Sequence, residues 1–280
     1  MEPGVYFNLS NAEYHSGLGV SKSQLDDIAI SPAIFQWRKH APVDEEKTSA
    51  LDLGTALHCL LLEPDEFSKR FEIAPEVNRR TTAGKEKEKE FIERCEAKGI
   101  TPLTYEDSRK LHLMRDSAMA HPIARWMLEA QGKAEASIYW HDRDTGVLSR
   151  CRPDKMITEF NWCVDVKSTA DIIKFQKDFY SYRYHVQDAF YSDGYESHFN
   201  EPPTFAFLAV STSIDCGRYP VQVFIMDQQA KDAGRAEYKR NLSTFAECLS
   251  RNEWPGIATL SLPFWAKELR NEYPATYRQR

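Results

Sequence analysis

The chain has 280 residues, 42% of them apolar, with 36 lysines and arginines against 42 acids and a formal net charge of −6. That apolar share can fill a core of its own. No apolar run approaches bilayer-spanning length, and the start MEPGVYFNLS has neither the basic nor the apolar region of a secretion signal, so a cytoplasmic protein outside the membrane is expected. Six cysteines without a CxxC pair give no zinc or iron–sulfur spacing and fit reduced thiols. There is also no GxxxxGK(S/T) phosphate loop, which excludes an ATP motor of that type.

In chain order, a short extended segment precedes a helix predicted over Ser21 to Ile30, opened by the Ser21 and Gln24 capping box. Ser31-Pro32 ends that helix and starts another. Leu51 to Leu62 is apolar at Leu53, Ala56, Leu57, Leu60 and Leu61, which predicts a helix that carries His58 and stops at Pro64. Arg79 to Glu90, RRTTAGKEKEKE, alternates in charge and predicts a mobile loop running into an exposed helix. Asp107 to Glu129 has helical period with a break at Pro122. From Ala134 the texture turns to strands: Ala134 to Trp140, the turn HDRDTG, Leu148 to Ile157, a loop over Thr158 to Asn161, and Cys163 to Thr169. A helix over Tyr182 to His198, strands over Thr204 to Ser211 and Val221 to Met226, and a long amphipathic helix over Asp227 to Asn252 complete the pattern, with PATYRQR as a frayed tail. The expected class is α/β, a mixed sheet flanked by helices. Residues 1–130 form a helical front and residues 131–280 the core, within one structural domain.

The informative segment is CRPDKMITEFNWCVDVKS, residues 151–168. As a hairpin with a four-residue loop, it sets Ile157 opposite Trp162 and, counting back, Asp154 opposite Asp165, with Cβ atoms about 5 Å apart. Lys167 shares their face, and Val164 and Val166 point to the opposite, buried one. Two carboxylates this close repel unless a cation or a shared proton compensates, and a divalent metal ion is the economical answer. Surface carboxylates with Lys167 as a salt-bridge partner are the plain alternative. The net acidity requires that any nucleic-acid contact be concentrated locally. Between Val147 and Gln187 seven basic residues, including Arg150 and Arg152, stand against five acids.

Further residues fall in order around this hairpin: Gly54 to His58 as a GxxxH element, Glu135 on the preceding strand, Pro153-Asp154, Asp165-Val166-Lys167, and Gln187 to Tyr191 as a QxxxY element. With them the chain resembles the RecB-type branch of the PD-(D/E)xK nucleases, and over its whole length it is similar to bacterial and prophage recombination exonucleases. The resemblance implies a restriction-endonuclease-like core and Mg²⁺, with Mn²⁺ tolerated, held by Asp154, Asp165, a backbone carbonyl at Val166 and His58. Lys167 would assist the attacking water, and Glu135 would be a catalytic carboxylate, as a ligand or in support of one. Gln187, Tyr191, Arg150 and Arg152 would contact DNA. It also implies ATP-independent 5′ to 3′ digestion of linear duplex DNA from its ends to mononucleotides, by a ring-shaped homo-oligomer, a tetramer, that hands a 3′ tail to a single-strand annealing recombination protein. From the residues alone, a lone histidine on an apolar helix such as His58 is more often a core residue than a ligand, and the alternative for the Gln187 to Tyr191 face is packing against the sheet. A structure-specific or sequence-specific endonuclease, a single-strand nuclease and a non-catalytic DNA-binding module are the alternative functions.

Overall fold

The structure, a computed structural model, describes residues 1–43, 53–78, 80–263 and 266. The front of the chain comprises β1 (Gly4–Tyr6), α1 (Asn11–Ser16), α2 (Lys22–Ile30), α3 (Pro32–His40), α4 (Leu53–Leu62), α5 (Pro64–Arg70), β2 (Phe71–Ile73), α6 (Thr82–Lys98), β3 (Thr101–Leu103), α7 (Tyr105–Ala120) and α8 (Pro122–Glu129). After it come β4 (Lys133–Ala134), β5 (Ser137–His141), β6 (Leu148–Cys151), β7 (Lys155–Ile157), β8 (Trp162–Thr169), α9 (Ile172–Asp178), α10 (Tyr184–Phe199), β9 (Thr204–Ser211), β10 (Val221–Ile225) and α11 (Gln228–Arg251). No described helix is long and apolar enough to cross a membrane. The tail PATYRQR, Arg79, and the first two residues of the helix expected over Leu51 to Leu62 lie outside the described residues.

Local chemistry sets the helix ends. Ser21 caps α2 through the reciprocal bonds of a capping box, and Pro32 starts α3 where its missing N–H costs nothing. The charged KEKEKE run is helical and mostly exposed, as expected of the helix into which the Arg79 to Glu90 segment runs. Thr81 accepts a hydrogen bond from the Gly84 N–H to open α6 at Thr82, and buried Phe91 and Cys95 supply the apolar face that holds it.

The main sheet has the order β10-β9-β8-β7-β4, with β8 and β9 parallel and the other pairs antiparallel, so it is a mixed sheet. β5 and β6 belong to a second sheet with β1. The expected strand over Leu148 to Ile157 is therefore two strands in two sheets, broken at Arg152-Pro153-Asp154. Proline has no N–H for a ladder and belongs at such a break. The expected strand over Ala134 to Trp140 also divides. Glu135 sits at its break with φ 52°, in the left-handed region, and gives its N–H to the Asp154 carbonyl at 3.0 Å.

Period-two alternation in β8 and β9 feeds two cores. Val164, Val166, Ala206, Leu208 and Val210 face Leu57, Leu60, Leu111 and Met114 of the front helices. On the other side Cys163, Phe205, Phe207 and Ala209 face Val186, Ala189 and Phe190 of α10, with Leu242 and Phe245 of α11 behind. Both faces of β8 are thus covered, and the face that carries Asp165 is not the solvent face expected of a half-exposed hairpin. Gly234 lets α11 approach α10 closely, because a Cβ there would lie 2.1 Å from the His185 carbonyl oxygen.

Candidate active site

The hairpin turn is built as its register requires. Ile157 pairs with Trp162 and Lys155 with Val164, and a short 3₁₀ turn over Thr158–Phe160 ends on Asn161 in the left-handed conformation. The ladder stops at Lys155, and Asp154 bends away from it. Its Oδ2 accepts the Val166 N–H at 2.6 Å, which fixes the carboxylate at the middle of β8. Helix α4, apolar enough to seat in the front core, brings His58 over the same point.

His58 Nε2 lies 2.6 Å from Asp154 Oδ2, and His58 Nδ1 lies 3.5 Å from Glu135 Oε1. One ligand atom from each of His58, Glu135 and Asp154 falls within 4.8 Å of the others, a set that could hold a metal ion. Burial disfavours the imidazolium, but Asp154, Glu135 and Asp165 outweigh it and push His58 up to about 9. Burial and the neighbouring Asp154 push Glu135 up to about 7. Such a crowd of acid attracts a cation, and oxygen donors with one imidazole suit Mg²⁺ or Mn²⁺. The donor set fits the divalent metal that the resemblance implies. All three line a cleft of about 620 Å³ that also contains Val166, Lys167, Tyr184 and the Leu9–Asn11 segment.

Asp165 stands beside this trio rather than in it. It is 2% exposed, its Oδ2 lies 2.5 Å from Lys167 Nζ, and its Oδ1 accepts from Gln187 Nε2 at 2.5 Å. Burial and Asp154 raise the Asp165 carboxyl, and Lys167 pulls it back down. Burial would lower the Lys167 ammonium, yet the Asp165 and Asp154 carboxylates hold it above the usual lysine range. Lys167 is therefore a charged group at the cleft, seated 5.2 Å from the Tyr184 ring centroid.

The residues expected to contact DNA are placed otherwise. Arg150, 3% exposed, donates to the Gly17, Leu18 and His15 carbonyls. Arg152, 8% exposed, donates to Ser137 Oγ, Asn11 Oδ1 and the Leu9 carbonyl, and its guanidinium lies 4.1 Å from the Tyr14 ring centroid. The two arginines lace the N-terminal segment onto the small sheet, because that segment's carbonyls have no strand partner there. Arg152 keeps one link to the site, NH1 lying 3.8 Å from Glu135 Oε2. Gln187 is buried and spends its amide on Asp165, while Tyr191 packs edge-on against Phe205 in the core. Of the tyrosines on α10 it is Tyr184 that reaches the cleft. One helical face looks the same in sequence whichever of its tyrosines meets the site.

The family described as a PDDEXK-like domain of unknown function (DUF3799) matches residues 21–259. No curated protein matches the chain. Among solved structures, a protein from Eubacterium rectale, provisionally described as an exonuclease, is similar with a TM-score of 0.59 at 13% identity, over 96% of this chain and 100% of that one. At that identity the likeness is one of fold. A phage-related exonuclease from Haemophilus somnus 129PT has a TM-score of 0.31 at 13% identity, over 87% of this chain and 100% of that one.

Proposed function

We propose a function on the premise that the chain belongs to the PDDEXK-like domain family DUF3799, and with it to the PD-(D/E)xK nuclease superfamily, whose members use divalent metal ions. The reaction we infer is metal-dependent hydrolysis of DNA phosphodiester bonds. The observation that carries it is the meeting of His58, Glu135 and Asp154 within one cleft beside the charged Lys167.

In this reading His58, Glu135 and Asp154 hold the ion, with the Val166 carbonyl as a neighbouring donor. When bound, the ion supplies a Lewis acid that stabilises phosphate charge and eases deprotonation of water. Asp154 is oriented by the Val166 N–H, so the carboxylate does not have to find its place on binding. Asp165 and Gln187 hold Lys167 at the cleft, where its ammonium meets the scissile phosphate and stabilises charge developing on it. No side chain need form a covalent bond to the substrate.

The finer reading follows exodeoxyribonuclease VIII, to which the sequence is similar in its ordered motifs. It is ATP-independent digestion of linear duplex from its ends, 5′ to 3′, to mononucleotides, leaving a 3′ tail for an annealing partner in recombination. A ring-shaped homo-oligomer in the cytoplasm would give the grip that an acidic chain lacks as a monomer. Linear and covalently closed circular duplexes incubated with Mg²⁺, each with and without EDTA, test this directly. Release of mononucleotides from the linear form alone, stopped by EDTA, is the expected result. Cutting of the circle would replace the exonuclease with an endonuclease on the same core.

A further inference from the structure

Tyr184 packs on Phe175 and Phe207 at the edge of the core, and the turn between α9 and α10 adds two exposed tyrosine rings beyond it. Tyr184 forms part of the cleft wall near Lys167. Tyr182 stacks on it at 5.5 Å and 24° between planes, yet is 61% exposed. Tyr180, also 61% exposed, stacks on His185 at 4.6 Å and 12°. The stack therefore runs from buried Phe175 through Tyr184, beside the Lys167 ammonium, to the largely open ring of Tyr182.

The backbone beneath Tyr182 is held more firmly than an idle surface turn needs. Arg183, between the two stacked tyrosines, has φ 57°, a left-handed conformation that costs a residue with a Cβ on the order of 1 kcal/mol or more. Its guanidinium reaches Asp26 on α2 and Glu237 on α11, each at 2.6 Å. Glu237 also lies 3.2 Å from His185, and Lys22 Nζ donates to the Tyr182 carbonyl at 3.4 Å. A strained residue is thus clamped between two helices, and what it fixes is the direction of Tyr182. Exposed Lys174 and Lys177 lie one turn apart on α9, just before the turn, and supply positive charge nearby.

We propose that Tyr182, backed by Tyr184, is a stacking platform for an unpaired nucleobase of the DNA strand whose phosphate lies at Lys167, with Arg183 as its positioning residue. This rests on the nuclease reading of the same cleft. Stacking on an aromatic face tolerates any base and contributes about 1–3 kcal/mol. It would keep the end of a frayed strand next to the site without reading its sequence.

The test uses the full chain with Ca²⁺ in place of Mg²⁺ and a duplex whose unpaired terminal base is 2-aminopurine. Stacking quenches the fluorescence of that base. The wild type is expected to quench it, Tyr182→Ala to lose most of the quench and bind the DNA about tenfold more weakly, and Tyr182→Trp to keep both. With Mg²⁺, Tyr182→Ala is expected to raise KM more than it lowers kcat. Wild-type binding without quenching, or a Tyr182→Ala protein that quenches like wild type, would overturn the platform even if metal-dependent release of nucleotides were robust. Absence of that release in the wild type would instead count against the nuclease reading, whatever the fluorescence shows.

Discussion

His58 Nε2 sits 2.6 Å from Asp154 Oδ2, joining a front helix to the break between β6 and β7. The contact makes His58 more than a satisfied core histidine, since the same ring also faces Glu135 and is only half-buried at the cleft. Carboxylates from three directions favour a positive charge at this point and raise the pKa of the imidazole.

His58→Ala is accordingly expected to weaken Mn²⁺ affinity at least tenfold by calorimetry, with turnover partly restored by excess Mn²⁺. A histidine that served packing alone would lower the melting temperature and leave the metal dependence unaltered.

Lys167, at the cleft, and buried Asp165 form an ion pair, so each acts through the other. Lys167→Met is expected to lower kcat by about 100-fold or more while metal affinity stays within a few-fold of wild type, because the ammonium acts on charge that develops in the transition state. Asp165→Asn is expected to cost metal affinity less than Asp154→Asn does, since both Asp165 oxygens already face Lys167 and Gln187. Equal losses of affinity for the two aspartates would make Asp165 a direct ligand.

Gln187 offers a clean discrimination between positioning and DNA contact. Its amide donates to Asp165, so Gln187→Ala is expected to lower kcat about tenfold, by leaving a buried carboxylate one bond short. KM for DNA should move less. A rise in KM with kcat unchanged would return Gln187 to the DNA strand.

Much of this arrangement is legible in the sequence, and the exceptions share a cause. The Ile157–Trp162 register follows from a four-residue loop, and the alternation of Val164 and Val166 shows which residues of β8 pack on the front helices. Local pattern cannot show what covers the other face, and α10 covers it, burying Asp165 and Gln187. Nor can a basic residue's partner be read from its neighbours. Arg150 and Arg152 look like a DNA surface until the carbonyls of residues 9–18 arrive from the other end of the chain. The left-handed Glu135 has no sequence signal of its own, because that conformation ordinarily favours glycine or asparagine.

Asp188, next to Gln187 on α10, is fully buried, with Ser192 Oγ at 3.0 Å and Lys231 Nζ at 3.7 Å. Burial raises its carboxyl from 3.8 to about 6, against the pull of Lys231 and Arg235. A carboxyl raised on folding favours the folded state below its unfolded value and loses that contribution as pH rises through the folded one. Stability is therefore expected to fall between about pH 4 and pH 6 on account of this group, by roughly 2–3 kcal/mol. Asp188→Asn should flatten that part of the profile in denaturant melts and raise stability at pH 7. Lower stability at pH 7 in the variant would mean that the Lys231 pair outweighs the cost of burial.

In the proposed reaction Asp154, with His58 and Glu135, holds a divalent ion at which DNA is hydrolysed. Release of labelled nucleotides from linear duplex, followed in Mg²⁺ for the wild type and Asp154→Ala side by side, tests it most directly. Steady release by the wild type, stopped by EDTA and reduced at least 1,000-fold in Asp154→Ala at matched folding by circular dichroism, is the predicted result. Release that persists in EDTA, or that survives in Asp154→Ala at saturating Mg²⁺, would contradict it.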